Sequence, residues 1–153
     1  MRGEYTVSVA LTGVGPPATI PATLLLLKTP SAAIVEVLEA WIQSEDGIAQ
    51  QISGALSRVA SPGSPAGSTV TPEKMEPGDQ ASGCTVIVNV EPTGSYDGVP
   101  VDWQGAPATS GYLFSEPVGM GAFAAPSTGI GLRIEEITTA GNFIVGLRWV
   151  EHG

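Results

Sequence analysis

Glycine and proline punctuate this chain throughout, with 20 glycines and 13 prolines among 153 residues. They follow no collagen-like period. They separate short runs in which apolar and polar residues alternate, the period of a half-buried strand rather than of a helix. Tyr5, Val7, Val9 and Leu11 share one face of such a run. Ile130, Leu132 and Ile134 share a face of another, with Arg133 and Glu135 opposite. Phe143, Val145, Leu147 and Trp149 share a face of the last. The stretch Ala81–Glu91 sits near the middle of the chain, with Gly83 at its start and Pro92 after it. It places Cys84, Val86, Val88 and Val90 in one phase. These residues are the expected core.

Turn signals recur roughly every ten residues and set off about eight strands, the mark of an all-β sandwich or jelly roll of antiparallel strands with long Gly/Pro-rich loops. No helical segments alternate regularly with the strands, which excludes a βαβ plan. The length fits a single domain over residues 1–153, with a short N-terminal arm at 1–4 and a long loop at 61–79.

Two segments are ambiguous. In Ala32–Ile42, Ile34, Leu38, Trp41 and Ile42 have helical spacing, and the local pattern slightly favours a helix. The β-rich surroundings favour a strand, which is the expectation here. As a strand, however, Glu36 and Glu39 intrude on both faces. From about Ala49 to Val59, a weak helix and a polar, partly exposed strand fit equally well. The S-E-D-G turn at Ser44–Gly47 would join these two segments as a long hairpin. The last two runs, Thr128–Ile137 and Phe143–Val150, are expected to form a second hairpin, with Arg133 or Arg148 beside an acidic partner across the sheet. Proline near the start of the Ile20–Leu27 run suits an edge or entrance.

The chain carries 15 acidic and 6 basic residues, a net charge of -9. An acidic chain with scattered cations lacks the basic stripe that phosphate backbones select, so nucleic acid is not an expected partner. The longest uninterrupted apolar stretch, Leu24–Leu27, is too short for a membrane helix, and the N-terminus has no signal-peptide core. Cys84 is the only cysteine and His152 the only histidine. Together they exclude an intrachain disulfide and leave a zinc site short of ligands. A Ser-His-acid triad would depend on His152, next to the chain end. The acids Glu73, Glu76 and Asp79 lack calcium-loop spacing. Gly119-Met120-Gly121 lacks the further glycine and lysine of a phosphate loop. The expectation is therefore a protein that binds and does not catalyse, with no metal and no cofactor.

Contact residues are expected in the loops. Val70, Pro72, Glu73, Lys74 and Met75 lie in the breaker-rich 61–79 segment. Tyr96 and Trp103 lie among turn residues at Pro92–Pro107, where aromatics carry much interface energy. Such rings also serve as plugs on a sheet. The plug is expected for Trp103, and Tyr96 stays open between the two roles.

The layout resembles a family of small phage- and prophage-associated β-rich proteins. The likeness rests on the Y-T-V strand, the S-E-D-G turn, the loop T-V-T-P-E-K-M-E-P-G-D, and the strand G-C-T-V-I-V-N. It continues through Y-L-F-S-E-P at Tyr112–Pro117, the strand I-G-L-R-I, and the terminal G-L-R-W-V-E-H-G. The resemblance implies a virion structural protein made in the host cytoplasm. A capsid decoration (cement) protein is the first expectation. Its partner would be the major capsid protein or another virion protein, and its own form a homo-oligomer, with a trimer favoured. The alternative is a tail- or fibre-associated carbohydrate- or receptor-binding module using Tyr96, Trp103 and nearby acids.

Overall fold

A computed structural model describes residues 3–15 and 22–153. Over these residues the chain is all β, with twelve strands and no helix. They are β1 (Gly3–Val14), β2 (Ala22–Lys28), β3 (Ile34–Ser44), β4 (Gln51–Val59), β5 (Ser68–Val70) and β6 (Glu73–Lys74), followed by β7 (Thr85–Val88), β8 (Asp102–Pro107), β9 (Tyr112–Ser115), β10 (Ala122–Ala124), β11 (Gly129–Ile137) and β12 (Gly141–His152). Two six-stranded antiparallel sheets result. The first runs β10-β3-β12-β1-β6, with β9 also on β3, and the second runs β5-β7-β2-β11-β4-β8. Their inner faces share one core, the construction of a β-sandwich.

The count exceeds the expected eight because β5, β6, β8 and β10 lie in segments read as loops. These strands are short or, like D-W-Q-G-A-P in β8, lack an apolar face. The 61–79 loop thus contributes a strand to each sheet: β5 pairs with β7 and β6 with β1.

Among the described residues, no two strands consecutive in the chain pair with each other. Both expected hairpins are therefore corrected. β3 lies in the first sheet and β4 in the second, so S-E-D-G carries the chain from one sheet to the other. β11 and β12 are likewise in different sheets. The pairings are instead nested. β1 pairs with β12, β2 with β11, β3 with β10, and β4 with β8. β4 is also not a partly exposed strand. Paired on both sides, it has a run of six buried residues from Ile52 to Ser57.

The segment 32–42 is a strand, and a bulge explains its ambiguity. In its pairing with β12, Arg148 faces Glu39 while the next residue, Trp149, faces Val37, so Leu38 is an extra residue. The inward phase shifts there from Val35 and Val37 to Ala40 and Ile42. Trp41 falls on the outer face, where Gly146 leaves the space its ring occupies.

Val7, Leu11, Val86, Leu132, Ile134, Phe143, Val145, Leu147 and Trp149 are buried in the shared core, and Val9 and Val88 pack partly buried against it. Cys84 joins them, whereas Val90 does not. Asn89 has a left-handed φ of 52°, which ends the alternation and turns Val90 to the opposite face beside Ile87. Tyr5 meets Trp149 with ring centroids 6.0 Å apart.

Candidate binding surfaces

The outer face of the second sheet is partly roofed by the segment that follows β7. Leu26, Val59 and Ile87 form a small apolar cluster there, and Val90 and Tyr96 cap it. Backbone bonds pin the segment down: Asp97 N–H donates to the Arg58 carbonyl at 2.8 Å, and Val101 N–H to that of Leu56 at 2.7 Å. Tyr96 lies over Gly131, where any side chain would overlap its ring. Its hydroxyl is 2.7 Å from Thr23 Oγ1, and the Arg133 guanidinium sits 4.1 Å from its ring centroid. Burial pushes the Tyr96 phenol up to about 12. Tyr96 is therefore the plug.

Trp103 reverses the expectation made for it. It stands on β8, the edge strand, and is 62% exposed. Its orientation is fixed, because its indole N–H donates to the Ser53 hydroxyl. The ring divides two surface grooves. One is lined by Ser57, Asp97, Gly98, Pro100, Arg133 and Glu135, and the other by Gln51, Ile52, Ser53, Gly105 and Glu136. Arg133 and Glu135 are an ion pair at 3.0 Å on the same strand.

The 61–79 residues divide by strand. Val70 packs against the core margin, Pro72 is half-buried, and Glu73, Lys74 and Met75 are exposed. The segment is held to β1, with Met75 N–H donating to the Glu4 carbonyl at 2.9 Å and Asp79 accepting from Glu4 N–H at 3.2 Å. Of the expected arm, Met1 and Arg2 lie outside the described residues. Gly3 and Glu4 are already strand, opposite Glu151 and Val150. Among the described residues, no three histidines, cysteines or acids gather as a metal-holding group. No described helix is long and apolar enough to cross a membrane.

The first sheet carries a different surface. β9 and β10 lie end to end along β3 and form its edge. Leu113, Val118, Met120 and Phe123 are all exposed on this edge and its connecting loop, by 59%, 57%, 70% and 38%. Sequence reading missed this apolar group because it treated Pro117–Ser127 only as a loop. The loop is anchored by Glu36, a fully buried carboxylate that accepts from Gly119 N–H at 2.5 Å, Gly121 N–H at 2.9 Å and His152 Nε2 at 2.9 Å. Burial works to raise the Glu36 pKa, but the bonds from Gly121, His152 and Gly119 together hold it below the ordinary value. His152 is thus an ordered strand residue, stacked on Phe123 and distinct from a loose chain end. Arg148 has its acidic partners across the sheet, Glu4 at 3.2 Å and Glu39 at 3.5 Å.

The comparisons with known proteins add no relative. No protein-family model matches the chain, and neither a curated protein nor a solved structure does.

Proposed function

We propose that this protein is a phage virion structural protein, a decoration (cement) protein that binds the head non-covalently through the edge formed by β9 and β10. The exposed row of Leu113, Val118, Met120 and Phe123 carries this reading. Apolar side chains exposed along a sheet edge favour coverage by a neighbour. It is these side chains that are available here, since the Leu113 and Phe123 carbonyls already accept from Gln104 Nε2 at 3.0 Å and Arg58 Nε at 2.6 Å. On a chain of net charge -9, the complementary surface is apolar and basic, and repeated copies on a lattice make weak contacts effective. The nested strand order supports the same reading. Taking β5–β7 as an insertion and β9 with β10 as one interrupted strand, the order is that of a jelly roll, an architecture that capsid proteins share with lectins. The partner is the major capsid protein or another virion protein, and the protein acts as a homotrimer.

Quantitative mass spectrometry of purified virions from the phage or induced prophage encoding this gene tests the proposal. Hundreds of copies per particle are expected, with occupancy reduced at least tenfold by Leu113→Lys with Phe123→Lys. A handful of copies would place the protein at a tail or vertex, and absence from particles would overturn the proposal.

A further inference from the structure

Aspartate followed by glycine is a chemically weak step in a chain. The glycine nitrogen can attack the aspartyl side-chain carboxyl, because no Cβ on the following residue hinders the approach or restricts the backbone. The sequence holds two such steps, Asp46-Gly47 and Asp97-Gly98. The fold treats them oppositely.

At Asp46-Gly47 both reacting groups are engaged. The Asp46 carboxylate accepts from Asn142 N–H at 2.7 Å, and from Ile48 N–H and the Ser44 hydroxyl at 3.3 Å each. Gly47 N–H donates to the Ser44 hydroxyl at 3.0 Å, with Gly47 fixed at a φ of 68°. These bonds, led by that from Asn142, also hold the Asp46 carboxyl below its ordinary range, in the ionised form that does not cyclise. At Asp97-Gly98 neither group is engaged. Both residues are exposed, and among the described residues neither the Asp97 carboxylate nor Gly98 N–H makes a hydrogen bond. No atom lies within 4 Å of the place a Gly98 Cβ would take. The chain is pinned only on either side, by Asp97 N–H on the Arg58 carbonyl at 2.8 Å and Val101 N–H on that of Leu56 at 2.7 Å. Nothing between these bonds opposes the close approach of nitrogen and carboxyl that ring closure needs.

We propose that Asp97 is a site of spontaneous isomerisation to isoaspartate. The Gly98 nitrogen bonds to Asp97 Cγ, and the carboxyl hydroxyl leaves with the amide hydrogen as water. The succinimide so formed takes water back. Attack at the main-chain carbonyl carbon breaks its bond to the Gly98 nitrogen, frees an α-carboxylate and routes the chain through Cβ and Cγ. Composition is unchanged, and the backbone is one carbon longer. That carbon falls between two pinned amides, so the product loop lifts from β4 or breaks one of the bonds. Asp97 lines the groove beside Trp103, so the rim of that groove changes while the docking edge on the first sheet does not.

The test is to age the full chain in neutral buffer at physiological temperature and map it by electron-transfer fragmentation, which tells isoaspartyl from aspartyl peptides. Isoaspartate at Asp97 should exceed that at Asp46 by about tenfold or more, a barrier difference of about 1.4 kcal/mol. In guanidinium chloride, with the fold lost, the two steps should react at comparable rates. Gly98→Ala, for which the structure has open space, should cut the product at Asp97 several-fold and leave the melting temperature unchanged. Hydrogen exchange of the aged chain should speed up at the Asp97 and Val101 amides and not between β1 and β12. Equal yields at the two steps in the folded chain, a higher yield at Asp46, or no isoaspartate at Asp97 would each overturn the proposal. So would a tenfold difference that persists in the unfolded chain, since local sequence and not the fold would then set it.

Discussion

Glu151 is fully buried in the last strand, and its carboxylate is surrounded by donors. It accepts from the Ser82 hydroxyl, from Gly83 N–H at 3.1 Å, and more distantly from Cys84 N–H at 3.4 Å and Trp149 Nε1 at 3.5 Å. Burial pulls its pKa up. The bonds from Ser82, Gly83, Cys84 and Trp149 more than offset that, so it lies below the ordinary 4.5. The same carboxylate, after burial itself, helps push the Cys84 thiol well above its usual range, leaving an inert core sulfur. A depressed carboxylate stabilises the fold fully above its unfolded value, and this contribution is lost as pH falls through the lower folded value. Urea midpoints should therefore fall as pH drops below about 4.5. Glu151→Gln should lower stability at neutral pH by about 2 kcal/mol, since hydrogen bonds to a charged group are lost. It should also make the acid slope shallower, with Glu36 and Asp46, whose carboxylates are likewise held below their ordinary values, supplying the slope that remains. An unchanged slope would show that Glu151 is not the group responsible.

Among the elements, the regular strands were the legible ones. β1, β11 and β12 alternate over long runs because one face meets the core, and their inward residues could be read directly. β3 resisted the same reading because the extra residue at Leu38 changes its phase part-way along. β5, β6, β8 and β10 left no apolar period because they are short edge or near-edge pieces held by neighbours. Trp103 reversed its expected role, and the open question at Tyr96 was settled as the plug, for a similar reason. Both sit among turn residues, and only the distant Gly131 makes room for one of them to lie flat. Gly131→Ala should displace Tyr96 and cost about 1–3 kcal/mol through overpacking. Hydrogen exchange should then speed up at the Asp97 and Val101 amides, which tie the segment to Arg58 and Leu56. The amides between β1 and β12 should keep their protection. Uniform acceleration across both sheets would contradict this local role.

At the scale of the whole molecule, β1 lies between β12 and β6, and β12 between β1 and β3. The first and last strands therefore pair within the interior of the first sheet. With no pairing between consecutive strands among the described residues, most loop-closure entropy is lost before the sheets are rewarded. Such a topology folds slowly, on the order of milliseconds to seconds. Removing residues 3–14 would expose the β12 edge and the core beneath Trp149. That truncated chain should show no cooperative transition by calorimetry, whereas the full chain should show one. A truncated chain that still melts cooperatively would show that β1 is not integral to the sheet.

The sequence by itself determined the all-β class and the inward faces of the regular strands, because burial on one side of a pleated chain leaves a period of two that needs no partner to be seen. Only the tertiary structure decided which strands pair, where Leu38 bulges, and which surfaces stay open. Hydrogen bonding between backbones is blind to residue identity and reaches across the whole chain. An exposed Trp103, a locked Asp46 carboxylate and an apolar β9–β10 edge exist only after distant segments have been brought together.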